Sequence, residues 1–336
     1  MKKSFLFLIF LTPFLSFSQS GLESILYAVD SDSKKIFNGY LSPLMKGAIY
    51  SSNAGWFNSA KVHKKLGFDL SLKLNISFVP VNEQTFLIDD LDYISTTATN
   101  LPTIIGNSRE ESLTVTIPTD GTMPELTAIT KAPKGIKNKF PLGGVPAPVL
   151  QLAIGLPFQS EAVIRYSPEY HSKGIDMSLK GIGFKHNLMQ YFNPFTKFPL
   201  NVTAFASFSK MEIDYDIQSF SSLEGKGQFS EFSLNNYNLL LICSVDLPII
   251  SFYGGFGYSG GSSSFNMKGE YNLNYVTETN IPIQRKLLDP IQMSFNVNDF
   301  QTTFGVKYKF LIFNASLDYT FQNYNTLSIG ISANIR

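Results

Sequence analysis

Three histidines, a lone cysteine and a short acidic run are the residues whose types could carry chemistry in this chain. A Ser–His–acid hydrolase needs a serine held beside a histidine. Hydroxyl residues are everywhere, yet no spacing selects one of them, and no strand–turn–helix elbow is predicted around any. His186 follows Lys185 near a strand end and reads as structural. His63, within Lys61-Val62-His63-Lys64-Lys65, reads as part of a solvated linker. Asp89, Asp90 and Asp92 lack the alternate spacing and turn glycine of a calcium loop. No Cys/His spacing suits zinc. Gly254-Gly255 and Gly260-Gly261 are followed by neither Lys-Ser/Thr nor a helix, so they read as strand residues and not as a phosphate loop. The expectation is a non-enzyme with no cofactor and no metal.

The elements that would position any site are legible from periodicity. The chain has 336 residues, 44% hydrophobic but only 16% charged, against about 25% in soluble domains. Mean hydropathy is only +0.03, so the apolar residues are dispersed. Alternating strands disperse them in this way; membrane helices do not. A net charge of +1 gives no case for a nucleic-acid partner. The opening MKKSFLFLIFLTPFLSFSQS has a basic start, an apolar run at 5–17 and small residues before Gln19, the pattern of a signal peptide over residues 1–18. Beyond it no apolar run is long enough for a transmembrane helix. Cys243 is the single cysteine, so no internal disulfide framework forms.

Ten segments alternate cleanly: 67–79, 147–156, 160–169, 175–188, 199–210, 234–245, 249–260, 299–310, 313–322 and 326–335. Most run ten residues or more, matching the ~9–11 that a tilted strand needs to cross a bilayer and exceeding the 5–6 of a typical soluble strand. In the first, Phe68, Leu70, Leu72, Leu74, Ile76 and Phe78 oppose Asp69, Ser71, Lys73, Asn75 and Ser77. Two connections are only two or three residues long, while 80–146, 211–233 and 261–299 are long. Short turns at one end and long loops at the other are the habit of outer-membrane barrels. Adding 83–95 with 111–117, or 265–276 with 283–297, gives an expected twelve to fourteen strands. Apolar outward positions such as Leu72, Ile154 and Ile329 are expected to face lipid. Inward positions such as Asn75 and Ser328 are expected to tolerate change.

Residues 19–66 lack this alternation. Asp32 or Ser33 is positioned to cap a helix, and Ile36, Phe37, Tyr40, Leu41, Leu44 and Met45 recur at helical spacing. Pro43 predicts a kink and Gly47 a stop. The segment either rests on the periplasmic rim or plugs the lumen; as a plug, it would place Phe37, Tyr40, Leu41 and Leu44 against inward residues Ile182, Phe184 and Phe205. Within 175–188, Ile182 and Phe184 share a face with Asp176, Ser178 and Lys180. Either a bulge near Gly181-Ile182-Gly183 shifts the register, or the lumen wall turns apolar at one end.

The stretches AGWFNSAKVHKKLGFDLSLKLN (54–75) and GIDMSLKGIGFKHNL (174–188) resemble an uncharacterised family of Gram-negative outer-membrane β-barrels. That family in turn is similar to the FadL-type transporters of hydrophobic compounds. The resemblance implies a barrel of about fourteen strands with an N-terminal hatch in its lumen. The reading is therefore all-β: an antiparallel transmembrane barrel of 12–14 strands over 67–336, a partly helical hatch over 19–66 and a signal peptide over 1–18. Its expected location is the outer membrane, with lipid around it. The expected role is binding or passage of a hydrophobic small molecule. Two alternatives stay open: a structural or secretion-associated barrel that docks a protein partner, and a barrel lipid hydrolase.

Overall fold

The computed structural model describes Leu26 and residues 30–89, 91–117, 126–172, 175–192, 199–216, 224–276 and 282–335. The expected signal peptide lies outside them. Ten strands form the wall: β1 (Phe68–Ser77), β2 (Val145–Leu156), β3 (Ser160–Ser172), β4 (Ile175–Asn187), β5 (Leu200–Asp216), β6 (Glu224–Asp246), β7 (Ile250–Val276), β8 (Ile291–Phe310), β9 (Phe313–Phe321) and β10 (Thr326–Ile335). Each pairs antiparallel with its neighbours in sequence. The ring closes where β10 returns to β1, from Phe68 opposite Ile335 to Ser77 opposite Thr326. Closure pairs every strand on both sides, as a bilayer demands.

The ring thus has ten strands, not twelve to fourteen. The ten are the segments whose alternation is cleanest. The extra candidates lie elsewhere. Thr85–Leu87 pairs with Asn100–Pro102, and Ile94–Ser95 and Leu126–Lys131 flank Ser112–Ile117, in two small sheets within the long β1–β2 connection. Pro282–Leu288 pairs only with the far end of β7. Strands β5 to β8 reach 17, 23, 27 and 20 residues, well past membrane length, so 265–276 and 291–297 are the ends of ring strands and not further crossings. These extensions rise at the long-loop end. Residues 157–159, 247–249 and 311–312 turn tightly at the other.

The two faces of the wall are the reverse of a soluble protein's. Phe256 (58% exposed), Phe304 (62%) and Ile331 (62%) point outward with Leu241, Phe252 and Leu317. Asp69, Lys73, Glu161, Asn238, Thr303 and Asp318 point inward and are buried. An apolar surface of this extent is a liability in water but suits hydrocarbon. Leu72 and Ile154 are outward and Ile329 is 45% exposed, as alternation requires. No helix among the described residues is long and apolar enough to cross a membrane.

Inside the ring lies α1 (Asp30–Asn53), a helix of 24 residues or about 36 Å. It touches β1, β2, β6, β7 and β8, so wall surrounds it. The predicted kink and stop inside it do not interrupt the helix, which runs through Pro43 and past Gly47. Burial of Met45, Ile49 and Tyr50 against the wall outweighs the local breakers. Gly47 is instead a point of close approach: a Cβ there would sit 2.6 Å from Val145. The stop is Gly55, whose φ of +70° is the left-handed turn typical just past a helix. Asp32 lies inside the helix, and its carboxylate accepts the Asp92 and Tyr93 amides of the β1–β2 connection at 3.1 and 2.7 Å.

Candidate functional site

Residues 30–66 run along the lumen through two chemically distinct halves. At the long-loop end the inward residues of β7 and β8 are apolar: Met267, Tyr271 and Leu273 on one, Ile291 and Met293 on the other. Ile36, Phe37, Tyr40, Leu41 and Met45 of α1 pack among them, with Leu44 at the margin. Leu101, Ile104 and Ile105 of the β1–β2 connection close the cluster from outside. Tyr40 donates its hydroxyl to the Lys134 carbonyl at 2.9 Å, which lets a buried phenol end on a partner.

Below Met45 the same strands turn polar or small. Inward positions become Ser263, Gly261, Ser259 and Gly255 on β7, and Gln301, Thr303 and Lys307 on β8. Here the wall grips the plug by its backbone. Arg165 donates to the Ser52 and Ala54 carbonyls at 2.7 and 2.8 Å and to Gln151 Oε1 at 3.1 Å. Lys73 Nζ donates to the Gly55 and Phe57 carbonyls at 2.5 and 3.2 Å. Asn75 donates to the Ala54 carbonyl at 3.1 Å. The last carbonyls of a helix have no partner within it and carry the negative end of its dipole. Two cations at that end answer both facts.

Two aromatic rings follow. The Arg165 guanidinium lies 3.7 Å above the Trp56 ring, and Phe205 packs against Trp56 at 5.8 Å. Phe57 meets Tyr253 edge-on at 5.9 Å and lies against Gly255. Farther down, Thr203 donates to the Ala60 carbonyl at 2.5 Å, and Ser244 accepts the Ala60 amide at 3.0 Å. Asp246 accepts from Ser59, Ser244 and Ser251 at 2.6 to 3.1 Å. Last, His63 Nδ1 and its own amide reach Glu161 Oε2 at 2.6 and 3.0 Å, while Lys185 meets Oε1 at 2.7 Å. His63 is thus no solvated linker residue. It ties the plug to the floor of the wall.

The sequence-predicted contacts divide accordingly. Phe37, Tyr40, Leu41 and Leu44 sit on the plug and share the apolar chamber, and Phe205 is inward and 2% exposed. Phe205 belongs to the lower cluster with Trp56, not to the chamber. Ile182 and Phe184 are corrected: they point outward, 62% and 48% exposed. No bulge intervenes at 181–183, and β4 stays in register with β5 throughout. Gly181 and Gly183 face inward against Trp56. Asp176, Ser178 and Lys180 share the outward face with Ile182, an outer face that turns from apolar to polar toward the long-loop end of β4. The wall does become apolar inside, but on β7 and β8. Arg165, Trp56 and Glu161 escaped sequence reasoning. For Arg165 and Glu161 the signal was a charged residue on the inward phase of a strand, which demands a buried partner; Trp56, outside any strand, carried no such signal.

A Ser–His pair does occur at the short-turn end. Ser160 Oγ lies 2.8 Å from His186 Nδ1. The other ring nitrogen meets Tyr191 and Gln190 at 3.0 and 3.1 Å rather than a carboxylate. Ser160 is 5% exposed, so a substrate carbonyl has no approach to it. Gly257-Tyr258-Ser259-Gly260-Gly261 has the spacing of a nucleophile elbow but lies within β7, on no strand-to-helix turn. No group of three metal-ligating side chains occurs among the described residues.

Over residues 1–335 the chain matches the family of unknown function DUF6588, and it belongs to that family. No curated protein matches it. Among solved structures it is similar to the attachment invasion locus protein Ail of Yersinia pestis, at 9% identity over 81% of this chain and 99% of that one, with a TM-score of 0.29. The translocator domain of autotransporter NalP from Neisseria meningitidis is 11% identical over 91% and 98%, TM-score 0.27. The CymD monoaromatic hydrocarbon channel is 12% identical over 88% and 97%, TM-score 0.20. Scores this low do not establish a shared topology; the barrel rests on its own closed strand ladder and its inverted faces.

Proposed function

We propose that this DUF6588 barrel sits in the outer membrane, short turns in the periplasm, and binds or passes small hydrophobic compounds under the control of its own plug. On this reading the protein is not an enzyme, and its surroundings are outer-membrane lipid. The observation that supports it is the change of lumen wall along the axis. A simple diffusion pore has no use for an apolar chamber, and a rigid plug needs none. Here Met267, Tyr271, Ile291 and Met293 line the long-loop end, and the α1 stripe of Phe37, Tyr40 and Leu41 occupies the space between them. A hydrophobic solute entering from the long-loop side would compete with that stripe for the same surface. Burial of apolar area drives both, at about 25 cal/mol per Å².

The test is a planar bilayer holding the full chain, to which a small arene such as toluene is added on the long-loop side. The expected result is a saturable rise in conductance as the stripe yields. Replacing Met293 with Glu should abolish that rise while the barrel still migrates as a folded band on unheated gels. Conductance indifferent to arene in the parent chain would contradict the reading.

A further inference from the structure

Between the plug and the wall at the short-turn end lies a cavity of about 290 Å³, at the small end of the ~300–1,000 Å³ typical of ligand pockets. Most charges around it are already matched. Glu161 holds both His63 and Lys185. Asp246 is ringed by hydroxyls, with Lys309 at 3.5 Å. Two charges lack a direct ion pair, although Lys307 feels the Asp246 and Asp69 carboxylates at longer range and Asp69 lies within the field of Lys73. Lys307, 9% exposed, makes a single hydrogen bond among the described residues, to Asn58 Oδ1 at 3.3 Å. Asp69, 6% exposed, has no hydrogen-bond partner among them. The two line the same cavity without pairing to each other. An ammonium has three donors and a carboxylate about four acceptor positions. Leaving both open and buried is costly unless something polar joins them. The rest of the lining supplies Trp56, Phe57 and Ala153 as apolar wall, and exposed Lys61 and Lys64 at the mouth.

We propose that this cavity binds a small zwitterion of the α-amino-acid class, its carboxylate on Lys307, its ammonium on Asp69 and its apolar side against Trp56 and Phe57. A plain anion would satisfy Lys307 but meet Asp69, and a plain cation the reverse. A ligand carrying both charges replaces the water at both groups at once. The site is independent of the apolar chamber at the far end, so it stands or falls apart from the transport reading. Its location beside the His63–Glu161 tether puts any occupant in contact with the plug.

Three probes share one apolar body and differ in charge: phenylalanine, 3-phenylpropanoate and phenethylamine. Each is titrated calorimetrically into the full chain in a nonionic detergent. Phenylalanine should bind, and each singly charged analogue should bind about tenfold weaker or worse, the size of one lost charge-assisted hydrogen bond. Lys307→Gln should remove the advantage of phenylalanine over phenethylamine, and Asp69→Asn its advantage over 3-phenylpropanoate. Asn58→Asp places a carboxylate beside Lys307 in advance. It should block binding while leaving the heat-sensitive folded band on gels intact, which separates site loss from misfolding. No heat from phenylalanine, or 3-phenylpropanoate binding as tightly as phenylalanine, would overturn the assignment.

Discussion

The two halves of the lumen hold one plug by different physics. At the long-loop end α1 is packed by side chains: Phe37, Leu41 and Met45 against Tyr271, Ile291 and Met293. At the short-turn end a smaller apolar cluster around Trp56 and Phe57 remains, but the wall adds a grip on the backbone: Arg165, Lys73 and Asn75 take carbonyls of 52–57, and Thr203 and Ser244 take Ala60. Apolar packing is non-directional and degrades gradually when a methylene is lost. A buried charge–carbonyl grip is directional and fails abruptly when one partner goes, because the other is left charged in a dry place. The contrast suits a plug anchored at one end and yielding at the other.

The largest effect is expected at the grip. Glu161→Ala strands Lys185, which is 4% exposed, and frees His63. The loss should be about 3–5 kcal/mol, read as a lower urea midpoint in lipid vesicles and as bursts of conductance. A silent substitution would mean that the short-turn end is held by the other wall contacts, Arg165, Lys73, Asn75, Thr203 and Ser244, without Glu161. In the chamber, Leu41→Ala should cost about 2–4 kcal/mol by leaving a cavity. It should soften the unfolding transition without conductance bursts, since the grip survives. Bursts in this variant would erase the distinction between the halves.

On the outside, Ile329→Arg should cost about 2–3 kcal/mol for a cation facing mid-bilayer lipid, measured by the same urea unfolding. An unchanged midpoint would place Ile329 away from hydrocarbon. The smallest effect belongs to the external connection. The ammonium groups of Lys134 and Lys131 hold the Glu110 carboxyl below its ordinary 4.5. A depressed carboxyl stabilises the fold above its unfolded value and loses that contribution as pH falls through its folded one. Protease cleavage within 107–134 should therefore quicken only below pH 4.5, and Glu110→Gln should remove that pH dependence.

Much of the wall was legible in the sequence because strand geometry gives side chains a period of two, and here the two faces differ sharply in polarity. Strands 67–79, 147–156, 249–260 and 326–335 announce both their existence and their outward face. Strand number was overcounted because segments such as 83–95 and 111–117 alternate too, as strands of small sheets in a connection. Ile182 and Phe184 were turned the wrong way because the outward face of β4 changes from apolar to charged along its length, and a charged face reads as lumen. Asn75 and Ser328 looked tolerant because alternation shows that a position is inward but not what stands opposite. Both are at most 1% exposed, Asn75 against the plug backbone, so substitution there meets packed atoms and not water. Long-range pairs such as Arg165 with Ser52 and Ala54, separated by over a hundred residues, leave no local pattern.

The central claim is that residues 30–66 seal the lumen. Single-channel recording in planar bilayers of the full chain, beside a chain lacking 30–60, tests it most directly. The account predicts a closed parent and a deletion that still shifts on unheated gels yet conducts steadily, with an ohmic current. A folded deletion as tight as the parent would contradict it.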